Sequence, residues 1–176
     1  MPYKDKISEI DWSELTPEGF EKKVTTILQH PPGSPGYENI YKSLFAGQKF
    51  KKIYSETWGR YAEAKTIEHL ILQGLPIREW NWHPDSGKGE IDIIAQRGNR
   101  LLFIEVKARS DKKDDPWEAI TDKKMRELCR GADLYIKTNE LDLEYQFDLA
   151  LFSGNPEDYR FEYIADAFLC PLTSKR

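Results

Sequence analysis

The chain is poor in cysteine: it has two, Cys129 and Cys170, and neither stands in a CxxC pair. A zinc site built on such pairs is therefore not expected. Long apolar runs are missing as well. None approaches the roughly 20 residues that span a bilayer, so no membrane contact is expected. The opening residues, MPYKDKISEIDW, lack the apolar stretch of a secretory leader, and a cytoplasmic address is the expectation. In that compartment the two thiols are expected to be reduced. There is no internal repeat and no long low-complexity segment. A basic excess is lacking too, since the formal net charge is −4. This counts against a broad nucleic-acid-binding surface but is what a local acidic cluster would produce.

What is present fits a soluble globular chain. It has 176 residues, 39% hydrophobic and 32% charged, which is enough for one domain with an appendage. The run from His30 to Gly36 holds three prolines and two glycines in seven residues and reads as a linker. Before it, Thr16 as N-cap and Pro17 as first helical residue predict a helix to about His30. A second short helix is predicted over residues 37–46. Residues 1–54 thus read as an N-terminal helical extension and residues 55–170 as the main domain. In the latter, helix is predicted over residues 55–73, ended by Gly74, and strands over 75–82, 90–96 and 101–108. A helix over about 116–137 and strands over 145–152 and 160–165 follow. The order α-β-β-β-α-β-β implies an α/β domain with a mixed sheet flanked by helices.

Strand periodicity isolates the residues that carry chemistry. Leu102, Ile104, Val106 and Ala108 share one wholly apolar face, which leaves Glu105 and Lys107 side by side on the other. Trp80 and Trp82 likewise fall on one face of their strand, where core packing outweighs base stacking. A two-residue loop at Gly98-Asn99 pairs Arg97 with Arg100. Counting back places Ile94 opposite Phe103, Asp92 opposite Glu105 and Glu90 opposite Lys107. Opposed residues have Cβ atoms roughly 4.5–5.5 Å apart, so two facing carboxylates cost stability unless something offsets them. A divalent cation would, because Mg²⁺ takes one or two carboxylates with waters and substrate phosphates. On the helix from Ser55, Glu63 falls about 40° from Ile67, inside the apolar arc, at 100° per residue. Lys65, Glu68 and His69 point elsewhere. An inward glutamate needs a partner, either the metal, a water on it, or a base such as Arg60 or Lys107. Taken singly, E-x-K in a strand is more often a solvated face, and Glu90–Lys107 an ordinary cross-strand ion pair.

Three blocks carry a resemblance: Trp58-Gly59-Arg60-Tyr61-Ala62-Glu63-Ala64, Gly89-Glu90-Ile91-Asp92-Ile93-Ile94-Ala95, and Phe103-Ile104-Glu105-Val106-Lys107-Ala108-Arg109. In order and spacing they resemble the YraN family of bacterial proteins, and also the archaeal Holliday-junction resolvases. The likeness runs from about Ser55 to Phe168. It implies a restriction-endonuclease-like PD-(D/E)XK core and a Mg²⁺- or Mn²⁺-dependent nuclease acting on DNA, with branched or structured DNA among its candidate substrates. By position, Asp92 and Glu105 would be the metal-binding acids, Glu63 the helix acid at the metal or its water, and Lys107 the catalytic lysine. The Val106 carbonyl, between the two site residues, would add an oxygen ligand. Glu90 and Arg109 match further family positions. Lys112, Lys113, Lys123 and Lys124 follow the site as candidate phosphate contacts, although acids are interspersed among them. Junction-cutting enzymes act as dimers, so a homodimer is a natural expectation. The segment Gln146-Phe147-Asp148-Leu149 lacks the arginine of the family's R-x-D-V. Two rival readings stand beside the nuclease: a non-catalytic nucleic-acid-binding module with the same fold, and a protein-interaction domain.

Overall fold

The structure is a computed structural model that describes residues 20–31, 33–36, 39, 53–111 and 115–170. Its elements are α1 (Phe20–Gln29), α2 (Ile53–Leu72), β1 (Ile77–Trp82), β2 (Ile91–Arg97), β3 (Arg100–Arg109), a 3-10 turn (Pro116–Ala119), α3 (Asp122–Thr138), β4 (Glu144–Asn155) and β5 (Asp158–Phe168). The Thr16-Pro17 helix start and, apart from Asn39, the helix at 37–46 lie outside the described residues. Among the described residues no helix is long and apolar enough to cross a membrane.

The five strands form one mixed sheet in the order β1-β2-β3-β4-β5. Only β3 and β4 run parallel; the other neighbours are antiparallel. A parallel pair needs a crossover, and α3 provides it. The predicted hairpin is present: Arg97 pairs with Arg100 and Ile94 with Phe103, around a two-residue turn whose Gly98 has φ 56°.

Each face of the sheet buries one apolar layer. On one side, Trp58, Ala62, Ala64, Ile67, Leu70 and Ile71 of α2 pack on Ile93, Ala95, Leu102, Ile104, Val106 and Phe152. Val24 and Ile27 of α1 join this layer. On the other side, Leu128, Ala132 and Tyr135 of α3 pack on Ile94, Leu101, Phe103 and Phe147. The helix comes very close at one point. A Cβ on Gly131 would stand 2.1 Å from the Gly89 carbonyl oxygen, so only glycine permits that approach of α3 to the chain entering β2.

Four local readings are corrected. The helix expected over 116–137 is two elements, because Thr121 caps a new start by accepting from the Lys124 N–H at 3.2 Å. Glu68, expected to point away, is buried, since β5 brings Tyr159, Phe161 and Tyr163 over that flank of α2. Cys129 and Cys170, expected reduced, are joined by a disulfide with Cα atoms 5.8 Å apart. Both flank the α3-side cluster, which brings helix and chain end together. Finally, Trp80 packs in the α2 layer and Trp82 against Tyr135 of α3, on opposite sides of the sheet.

Candidate functional site

The last correction locates the site. Asn81, between the two tryptophans, has φ 55°, the left-handed conformation that Asn tolerates better than most side chains. One such residue reverses the alternation of the strand. The paired strand reverses with it: Ile93, opposite Trp80, faces α2, whereas Ile91, opposite Trp82, faces α3. Asp92 sits at this reversal. The paired rungs of β2 and β3 end at Ile93 and Ile104, and beyond them Asp92 Oδ2 accepts the Val106 N–H at 2.8 Å. The side chain thus takes over a donor that a regular sheet would have given to backbone.

Glu105 lies on β3 beside this fork and is only 1% exposed. Its Oε1 receives two ammonium groups, from Lys107 and, at 3.1 Å, from Lys124 of α3. Its Oε2 is buried without a hydrogen-bond partner among the described residues. Burial, with the Asp92 charge adding, pushes the Glu105 carboxyl up to about 7 against the opposing pull of the two lysines. The Lys124 ammonium loses solvation by burial, yet Glu105 and Asp92 outweigh that and raise its pKa.

Glu63 approaches from α2. It is buried, and its Oε2 accepts from Trp80 Nε1 at 2.7 Å, from Arg60 at 2.9 Å and from Asn81 Nδ2 at 3.3 Å. Arg60 also donates to Asn81 Oδ1. Burial pushes Glu63 up to about 7; Arg60 opposes this, and the Asp92 charge adds to it. The acid expected in the apolar arc is therefore inward, with Arg60 as its base.

The remaining candidates scatter. Glu90 precedes β2, is exposed, and contacts His83 Nδ1 at 3.3 Å, so the Glu90–Lys107 rung is not formed. Arg109 ends β3 exposed, and its carbonyl accepts from Trp58 Nε1 at 3.4 Å. Lys123 is solvated and reaches Glu127 only at 4.0 Å. Lys112 and Lys113 lie outside the described residues.

Sequence reasoning did not foresee Trp80 and Asn81 as partners of Glu63, nor Lys124 as a partner of Glu105. For Lys124 a signal exists. It heads the stripe Lys124, Leu128, Gly131, Tyr135, whose other members are all buried, so it falls on the inward face of α3.

The donor set is oxygen-rich, which suits a hard divalent cation. The partnerless Glu105 Oε2 beside Asp92 fits one. Among the described residues no three His, Cys, Asp or Glu side chains gather around one point as a metal cage would. The fit is thus to a cation with two protein carboxylates at most and the rest of its ligands from elsewhere.

The model of a family described as "Uncharacterised protein family UPF0102" matches residues 62–165, spanning the site from α2 to β5. Curated relatives carry the same description. A UPF0102 protein of Phocaeicola vulgatus is 36% identical over 116 residues, 65% of this chain and 94% of its own length. One from Christiangramia forsetii is 35% identical over 111 residues, 62% of this chain and 92% of its own. One from Nitratiruptor sp. is 45% identical over 97 residues, 55% of this chain and 83% of its own.

Proposed function

The chain belongs to the UPF0102 family, the YraN family that its motifs resemble, and from that premise we propose that it is a metal-dependent nuclease of the PD-(D/E)XK type that hydrolyses phosphodiester bonds in DNA. The observation that carries this reading is the buried, partnerless Oε2 of Glu105 next to Asp92. An unsatisfied buried carboxylate oxygen costs stability, and a bound cation would offset that cost.

Asp92, Glu105 and the Val106 carbonyl are the groups to hold Mg²⁺ or Mn²⁺, which when bound polarises a phosphodiester and lowers the pKa of water. Asp92 is positioned for this by its bond to the Val106 N–H, which fixes one oxygen and leaves the other for a ligand. Lys107, at the rim with 27% of its side chain exposed, supplies positive charge for the phosphate as negative charge builds up. Glu63, braced by Arg60, Trp80 and Asn81, borders Asp92 and is suited to orient a water rather than to bind metal itself. Substrate affinity would come mainly from phosphate contacts.

A second reading, a nucleic-acid-binding module without turnover, draws on one observation: Glu63 is fully engaged by protein donors, so the acid set is short. One experiment separates the two. Wild type, Asp92→Ala and Glu105→Ala are titrated with Mn²⁺ by calorimetry and assayed on duplex and four-way-junction DNA. Metal binding and cleavage in the wild type, both lost in the variants, are expected. A mobility shift without product would support the binding module. Wild-type cleavage by Asp92→Ala would overturn the site.

A further inference from the structure

We propose that Lys124 is a shuttling cation of this site: it neutralises Glu105 when no metal is bound, and turns to the substrate phosphate when a divalent cation takes Glu105. This rests on the metal reading above and assigns the second phosphate-binding side chain.

The charges around Glu105 are unevenly placed. Two ammonium groups crowd onto Oε1 of Glu105, while Oε2 of the same carboxylate has none among the described residues. A single oxygen shared by two like charges is a poor permanent arrangement, since the ammoniums repel each other across it. The two lysines also differ in origin. Lys107 stands two residues from Glu105 on β3, whereas Lys124 reaches in from the first turn of α3. They therefore approach the carboxylate from two different elements. Both keep an outlet to solvent, with 27% and 23% of their side chains exposed.

A divalent cation on Glu105 and Asp92 would supply the charge that the ammoniums now give. It would also repel them. Lys124, on a long flexible stem with a partly open path, then becomes available to an anion at the rim, and the anion at a nuclease site is a phosphodiester. The backbone supports this placement firmly, because the Gly131–Gly89 approach lies two turns further along the same stripe of α3. Lys137, at the other end of α3, has 71% of its side chain exposed and pairs with Asp133, so it serves as an internal control.

The test uses the full chain as wild type, K124Q, K124R and K137Q. Mn²⁺ affinity is measured alone by calorimetry. Affinity for a fluorescein-labelled four-way-junction DNA in Ca²⁺ is measured by anisotropy across a salt series. K124Q is expected to bind Mn²⁺ as well as or several-fold more tightly than the wild type, having lost the competing cation. Its DNA affinity should fall about tenfold, and the slope of log affinity against log salt should fall by about one charge. K124R should keep the slope, and K137Q should change neither reading. The proposal is overturned if K124Q loses Mn²⁺ and DNA together, for then Lys124 merely props Glu105. It is equally overturned if K124Q matches the wild type in both. A wild type that binds no Mn²⁺ with or without DNA removes the metal reading itself, whereas normal wild-type binding beside an unaltered K124Q removes only the role of Lys124.

Discussion

Two carboxyl groups are buried on neighbouring central strands, and they are treated in opposite ways. Asp148 of β4 is 0% exposed and closed. Its Oδ1 accepts from Gln146 Nε2 at 2.7 Å and from the Asp166 N–H at 2.9 Å, and its Oδ2 accepts from the Tyr163 hydroxyl at 2.5 Å. Glu105 of β3 is 1% exposed and open: one oxygen has two cations and the other has no partner among the described residues. The first arrangement completes itself within the protein and fixes the irregular step of β5, where Asp166 takes φ 51° and the pairing shifts between Phe147 and Leu149. The second is incomplete without something from outside. A buried acid is thus not by itself a sign of function; the state of its lone pairs is what distinguishes a structural acid from a candidate ligand.

The comparison can be broken most directly by removing each acid. Asp148→Ala strands the Gln146 amide, the Tyr163 hydroxyl and the Asp166 N–H together, at a cost of about 3 kcal/mol or more. Glu105→Gln removes an ill-satisfied buried carboxylate and frees two lysines that already reach solvent, so stability should change by about 1 kcal/mol or less. Urea unfolding of the two variants decides the matter. Equal losses would mean that Glu105 is as structural as Asp148.

How much of this was legible in the sequence follows from the reach of each signal. Local signals served well. Gly98-Asn99 set the hairpin register, and the apolar face of β3 identified Glu105 and Lys107 as the odd pair. The mixed sheet with flanking helices followed from element order, and the family from the three motif blocks. Failures came where a single backbone angle or a distant contact decides. Nothing in the sequence announces that Asn81 is left-handed, so the alternation rule runs past the point where it holds and puts Trp80 and Trp82 on one face when they lie on two. Lys124 meets Glu105 only because α3 folds back over the sheet, a contact that strand spacing cannot contain. Glu68 lost its expected outward place for the same reason, as β5 is remote from α2 in the chain.

A gentler probe sharpens the contrast. Tyr163→Phe deletes one of the three donors to Asp148 and leaves the ring packing in place. Burial, reinforced by the Asp148 charge, raises the phenol well above its ordinary pKa, so it is a committed donor over the accessible pH range. Its loss should cost about 1–2 kcal/mol by thermal or urea unfolding, less than Asp148→Ala because two donors remain. Mn²⁺ affinity should be unchanged, since Tyr163 belongs to the closed acid. A coincident loss of metal binding would show that the two acids are coupled through the adjoining strands.

The smallest effect tests how far the closed region resists titration. His69 of α2 lies against the rings of Phe161 and Tyr163, with centroids at 5.2 and 5.3 Å, and Gln73 Nε2 stands 3.0 Å from its Nε2. Burial lowers its pKa below the ordinary value of about 6.5. The sign follows from linkage. Below about pH 6.5 the unfolded chain binds a proton that the folded chain resists, so the stability associated with His69 is full above that pH and is lost as pH falls toward the folded value. His69→Gln removes this titration. Unfolding free energy measured from pH 7 downward should therefore fall less steeply in His69→Gln than in the wild type, with the two curves separating only below about 6.5. Identical slopes would mean that the imidazole is solvated enough to titrate freely, and that β5 covers α2 less tightly than its aromatic contacts imply.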